Sequence, residues 1–225
     1  LIEAKLIDCT VRDGGYINDW KFKKSSVERI IGAASDSGVD YAEIGYRYPD
    51  SMKGLGKFAY CSDSFLRRIV EKEKNCKIAV MMDVAKCEPS QFPNKKTSRS
   101  PIDLVRVAAY PREIRAAFTY AEKISASGYE VTINLVTAHK LEKKHFKTLG
   151  EWSGKKLLKA LYFADSFGSL NPAETYKLVK TAIDLGYESV GFHSHNSRQM
   201  AFANAMAAVE AGAAFLDGSI LGMGR

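Results

Sequence analysis

The 225-residue sequence has no apolar stretch approaching a membrane span, no basic-apolar-small pattern at its N-terminus and no cysteine pair at C-x-x-C spacing. The first absence argues against a helical membrane protein, so no membrane partner is expected; the second argues against a secretory signal within the sequence. Cys9, Cys61, Cys76 and Cys87 also lack the cysteine-histidine spacing of zinc modules. Reduced thiols in a cytoplasmic protein are therefore expected. Neither G-x-G-x-x-G nor a Walker loop follows the first apolar segment, which weakens an open doubly wound sheet. The net charge of +7 is carried by short, dispersed clusters such as Lys21-Phe22-Lys23-Lys24, Lys95-Lys96 and Lys143-Lys144. Such clusters are usually solvated faces, so no nucleic-acid partner is expected, while anionic small molecules remain compatible. The sequence opens at Leu1 rather than at methionine, and residues upstream are expected.

What is present is an ordinary globular composition, 46% hydrophobic and 26% charged, arranged as apolar segments separated by amphipathic ones. Strands are expected at 4–11, 39–45, 77–84, 104–109, 129–136, 157–164 and 214–220, with a further strand approached through 187–190. Between them, Ser25 with Glu28 predicts a capping box, Asp63 a helix cap, Pro111 a first helical turn, and Asn171-Pro172 a capped start. Residues 141–152 and 197–211 read as helices, and 87–101 as a loop or short distorted helix. Gly38, Gly128, Gly186 and Gly212 each close an apolar helix shortly before a strand, as left-handed caps do. Eight strands with interleaved helices predict an α/β fold, a TIM (β/α)8 barrel forming one catalytic domain over 1–225. The sequence stops after the eighth strand, so a last helix is expected beyond Arg225 and truncation at the C-terminus is expected.

The candidate chemistry sits at strand exits. His193 and His195 are two apart on one strand, so both imidazoles point to one side where the backbone leaves the sheet. Asp13, ending the first strand at Arg12-Asp13-Gly14-Gly15, which reads as a turn, is the carboxylate that barrel closure would bring to them. Two imidazoles and one carboxylate leave coordination positions open, as a catalytic metal site requires. This ligand set accepts Mn²⁺, Mg²⁺, Fe²⁺, Co²⁺ or Zn²⁺. Arg12 adds a permanent cation suited to a developing oxyanion. Glu43, Arg47, Asp165 and Ser166 lie at other strand exits and are candidates for substrate binding, while Asn196 and Asn204 are candidates for supporting the ligands, Asn196 also for capping a helix. A Schiff-base lysine is not expected, because Lys159 falls early in its strand, near the opposite end.

Asp8-Cys9-Thr10-Val11-Arg12-Asp13-Gly14 resembles the D-x-T-[LV]-R-D-G signature of the DRE-TIM metallolyases, the HMG-CoA-lyase-like superfamily. His193-Ser194-His195-Asn196 matches its H-x-H-[ND] motif, and Gly222-Met223-Gly224-Arg225 is similar to its strand-eight exit. The resemblance covers the whole chain and implies a divalent metal, Mn²⁺ or Mg²⁺ ahead of Zn²⁺ or Co²⁺, on Asp13, His193 and His195, with Arg12 stabilising an enolate. Ala164-Asp165-Ser166-Phe167-Gly168 is similar to the A-D-S-x-G of the 4-hydroxy-2-oxovalerate aldolase branch, which places the serine near the keto acid. That branch has a histidine base where this sequence has Tyr16; a phenol, with an ordinary pKa of about 10, would orient or relay a proton instead. The resemblance thus implies an aldolase acting on a small 2-oxo acid. A Claisen-type acyltransferase using acetyl-CoA and a non-catalytic barrel serving as a binding module are the alternatives, and a homo-oligomer or a fused further domain is compatible with all three.

Overall fold

The computed structural model describes residues 4–70 and 75–224. Eight parallel strands close into a barrel in sequence order: β1 (Lys5–Asp8), β2 (Tyr41–Tyr46), β3 (Lys77–Asp83), β4 (Leu104–Ala109), β5 (Glu130–Leu135), β6 (Ala160–Asp165), β7 (Val190–Ser194) and β8 (Phe215–Gly218). Closure is made by β1 on β8, with Lys5 opposite Phe215 and Asp8 opposite Gly218. The helices are α1 (Thr10–Asn18), α2 (Lys24–Asp36), α3 (Asp63–Leu66), α4 (Lys95–Ser98), α5 (Ile114–Ala126), α6 (Lys143–Glu151), α7 (Pro172–Asp184) and α8 (Ala201–Glu210). This is the TIM barrel that the alternating pattern predicts. None of the described helices is long and apolar enough to cross a membrane.

The interior is layered because side chains on a strand alternate with a period of two. Ile7, Tyr41, Ala79, Leu104, Ala160, Tyr162 and Phe215 pack as one apolar cluster inside the barrel. The larger cluster lies between strands and helices and includes Val27, Ile31, Ala117, Ala121, Val179 and Ala182 from the inner faces of α2, α5 and α7. Gly191 exists for packing: a Cβ there would lie 2.4 Å from the Tyr162 ring on the neighbouring strand.

Several local expectations are corrected. Residues 10–13 are not a strand end and turn but the first turn of α1, because the Asp8 carboxylate accepts from the Thr10 amide (3.1 Å) and hydroxyl (2.8 Å) and bends the chain immediately after β1. Gly15 lies within that helix, where a Cβ would collide with the Trp20 indole at 2.0 Å. α2 begins at Lys24 without a side-chain cap, leaving Ser25 inside the first turn. Asp63 caps nothing; its carboxylate pairs with Arg47, and α3 runs only to Leu66. Residues 153–157 form a 3-10 turn, so β6 starts later than the apolar pattern suggests. By contrast, Asn171 and Glu174 make the reciprocal capping box of α7 at 3.0 and 2.9 Å. Arg225 lies outside the described residues. All four cysteines are buried.

Candidate metal centre

The C-terminal ends of the strands form the mouth of the barrel, and there the first turn of α1 meets β7. His193 Nε2 lies 3.1 Å from His195 Nε2, and Asp13 Oδ2 lies 3.6 Å from the first and 3.4 Å from the second. All three residues are buried. Donors held about 2.1 Å from one octahedral ion at right angles are about 3 Å apart, so this trio has the spacing of three ligands on one face of a divalent cation. Three converging buried groups, a carboxylate and two imidazole nitrogens, are the donor set such an ion requires, and the residues fit it.

Around the trio runs a buried chain of ion pairs. Arg12 donates from Nη1 to Asp13 (2.7 Å) and from Nε to Glu43 (2.8 Å). The same Glu43 oxygen accepts from Arg106 Nη1 at 3.0 Å, and Arg106 Nη2 donates to Asp217 at 2.7 Å. Asp217 Oδ2 then lies 2.8 Å from His193 Nδ1, which closes the ring on the candidate ligand. Burial opposes the ionised form of Asp13, but Arg12 and the two histidines overcome it and hold the carboxyl well below its usual range. Asp217 is likewise held down, at about 2, burial being outweighed by Arg106 and His193. Burial pushes His193 down, whereas its contacts with Asp13 and Asp217 raise it well above the ordinary imidazole value.

A cavity of about 230 Å³ opens beside the trio, bordered among others by Arg12, Tyr16, Tyr46, Lys86, Asn134 and Ser166. Tyr16 and Tyr46 share a hydrogen bond of 2.6 Å between their hydroxyls. Ser166 Oγ accepts from the Thr137 amide at 2.8 Å, on the strand-six side of the same cavity. A second cavity of about 590 Å³ approaches the trio from the side of Asn196, Asp217 and Cys9.

Of the remaining expected site residues, Asn196 borders the second cavity, while Glu43, Arg47, Asp165 and Asn204 border neither. Glu43 does not reach the cavity; it is wholly buried between the two arginines. Arg47 turns under the loop after β2, bonding Asp63 at 2.5 Å and the Cys61 carbonyl at 3.2 Å. Asp165 accepts from the Ser169 and Leu170 amides at 2.9 and 3.1 Å and shapes the loop after β6. Asn204 donates to the Leu170 carbonyl of that loop at 2.9 Å rather than to a histidine. Asn196 accepts from the first amide of α8, at Ala201, at 3.1 Å. In each case a backbone or charged partner engages at least one polar atom of the side chain. Arg106 and Asp217 were missed, although each is the single charged residue of an apolar strand, Leu104–Ala109 and Phe215–Gly218. A lone charge at an inward position is a signal that composition-level reading passes over.

Fold and trio together define a TIM barrel with a two-histidine, one-carboxylate centre at its C-terminal mouth. Residues 97–225 match the family described as HMGL-like, and the chain belongs to that family. A solved structure of the N-terminal domain of a candidate aldolase from Bacteroides vulgatus is 32% identical, with a TM-score of 0.90 over 98% of this chain and 74% of that one. The oxaloacetate decarboxylase of Mycobacterium tuberculosis is 28% identical over 99% of this chain, and a 4-hydroxy-2-oxovalerate aldolase of Moorella thermoacetica 28% identical over 97%. The chain spans 66% and 65% of the length of these two relatives. The carboxyl transferase domain of Rhizobium etli pyruvate carboxylase shares the fold, with a TM-score of 0.77 at 18% identity over 99% of this chain and 40% of that one.

Proposed function

We propose that the protein is a divalent-metal-dependent carbon-carbon lyase that cleaves a 4-hydroxy-2-oxo acid into a pyruvate-type enolate and an aldehyde. The observation that carries this reading is the convergence of Asp13, His193 and His195 at ligand spacing, where the two histidines border a small cavity that also presents Arg12 and all three border the larger one. A bound cation would supply Lewis-acid polarisation of the 2-oxo group. Arg12 contributes a fixed positive charge: its Nε and Nη1 are anchored by Glu43 and Asp13, and its Nη2 takes part in neither contact. That arrangement suits an oxyanion growing at the keto oxygen as the C3-C4 bond breaks, because a preoriented donor needs no reorganisation. Ser166 also borders the cavity, and its hydroxyl would donate to a substrate carboxylate or hydroxyl there. The Tyr16 hydroxyl, already bonded to Tyr46, orients the 4-hydroxyl and passes its proton on to solvent water rather than keeping it, and the enolate takes up a proton in turn to give pyruvate.

One pair of observations favours a second reading, decarboxylation of a 2-oxo diacid. Tyr16 stands where an aldolase base is expected, and a decarboxylation needs no base at C4. Lys86 borders the cavity, and its ammonium, 3.2 Å from Asp83 Oδ2, would take a second carboxylate in exchange for that partner. The relative from Mycobacterium tuberculosis is described by that activity. Incubating the Mn²⁺-loaded protein with 4-hydroxy-2-oxo acids and with oxaloacetate separates the two: pyruvate with an aldehyde supports the first, pyruvate with carbon dioxide above the rate of free Mn²⁺ supports the second. Pyruvate from neither overturns both.

A further inference from the structure

Arg106 enters the barrel from β4, on the far side of the interior from the metal trio, and none of its surface is exposed. A charge so placed is costly unless every donor is met. Here four of the five N–H groups are met, by groups that lead back to the site. Nη1 reaches Glu43 at 3.0 Å and Nη2 reaches Asp217 at 2.7 Å. The Asn134 amide satisfies its neighbours when its oxygen faces Arg106, at 2.7 Å from Nη2 and 3.3 Å from Nε, and its nitrogen faces Thr132 at 2.7 Å. The guanidinium also stacks over the Tyr162 ring, with its carbon 4.5 Å from the ring centroid. It is thereby held in one plane.

We propose that Arg106 is a positioning residue that orients both working arms of the centre, His193 through Asp217 and Arg12 through Glu43. It rests on the metal-site reading above. The chemistry of each arm follows from the hydrogen bonds. A carboxylate on Nδ1 keeps the proton there and presents the Nε2 lone pair of His193 to the position shared with Asp13 and His195. Arg106 fixes that carboxylate, since Asp217 Oδ2 accepts from both Arg106 and His193 while its Oδ1 is buried without a hydrogen bond. The Glu43 arm repeats the arrangement: Oε2 accepts from both arginines, and Oε1 is buried without a hydrogen bond. Each carboxylate thus serves as a bridge through a single oxygen, and rotation of either one moves a group of the site. The ring's side chains include three carboxylates and two guanidinium groups, an excess of acidic groups that a divalent cation at the trio would offset.

The test uses Co²⁺ alone, whose affinity is measured by competition with a chromophoric chelator and whose ligand geometry is read from its visible spectrum. Wild-type protein is compared with Arg106→Gln, Arg106→Lys and Asp217→Asn, all in folded samples as judged by circular dichroism. The expected result is Co²⁺ bound about 10–100-fold more weakly with an altered spectrum in Arg106→Gln and Asp217→Asn. Arg106→Lys keeps the charge but loses the fork that spans two carboxylates, and its affinity falls between wild type and Arg106→Gln. A merely structural role would lower the melting temperature and leave affinity and spectrum unchanged. Variants binding Co²⁺ within twofold of wild type, with the wild-type spectrum, overturn the positioning role while the metal site stands. Wild-type protein that binds no Co²⁺ overturns both. Should Arg106→Gln fail to fold, Arg106→Lys and Asp217→Asn decide by the same criteria.

Discussion

Two layers of the barrel interior, one residue pair apart along the strands, have opposite character. The lower layer holds Tyr41, Leu104 and Phe215 in an apolar cluster. Two residues on, the same strands carry Glu43, Arg106 and Asp217, which are joined by ion pairs of 2.7 to 3.0 Å. The strands, and their direction, are common to both layers. What differs is how each layer can fail: dispersion and apolar burial degrade gradually with lost volume, whereas a buried ionic ring is left with an uncompensated charge when one member is removed. The apolar layer supports the barrel, and the charged layer sets the geometry of what lies above it.

The largest expected effect comes from the top of the charged region. Asp13→Ala or His195→Ala removes a candidate ligand, and elemental analysis after Mn²⁺ loading should find no stoichiometric metal, with no metal-dependent turnover above the rate without protein. Glu43→Gln leaves Arg12 and Arg106 sharing a neutral amide; urea denaturation in chelator should show a loss of about 3–5 kcal/mol, with Co²⁺ affinity of the folded fraction also reduced. Leu104→Ala, in the layer below, should cost a similar 2–5 kcal/mol, roughly, while Co²⁺ affinity stays within twofold. Equal loss of affinity in both variants would erase the distinction between the layers.

Acid sharpens the same comparison. Asp217 has its carboxyl held at about 2 against an ordinary 3.8, so its stabilising contribution is fully present above 3.8 and is lost as the pH falls through about 2. In chelator, the melting-temperature advantage of wild type over Asp217→Asn should shrink across that interval, whereas Leu104→Ala should keep its deficit. Tyr16→Phe should lower kcat by well under the roughly 10²–10⁴ supplied by a positioned acid or base, and leave metal binding unchanged. Asn171→Ala, which removes the α7 cap far from either layer, should cost only about 1 kcal/mol and no activity.

The motifs were legible where the chemistry is local. His193 and His195 share a side because of strand periodicity, and Asp13 follows β1 in a signature that survives reading it as a turn rather than a helix. Asn171 before Pro172 marked the capped start of α7, which the structure completes with Glu174. The substrate contacts expected of Glu43, Arg47 and Asp165 were not legible, because a polar residue at a strand exit takes whichever partner the fold brings nearest. For Glu43 those partners are Arg12 and Arg106, 31 and 63 residues away, and for Arg47 the partner is Asp63.

Alternating apolar and amphipathic segments determined the elements of this protein and their barrel class, and a two-residue histidine spacing determined which side both imidazoles share, since each depends on interactions within a few residues along the chain. Only the closed tertiary structure decided that Arg106 meets Asp217 across 111 residues, and that Asp217 in turn holds the Nδ1 side of His193. Buried charges must find partners wherever closure of the sheet places them, and that placement follows from strand register and barrel geometry, which no local pattern encodes.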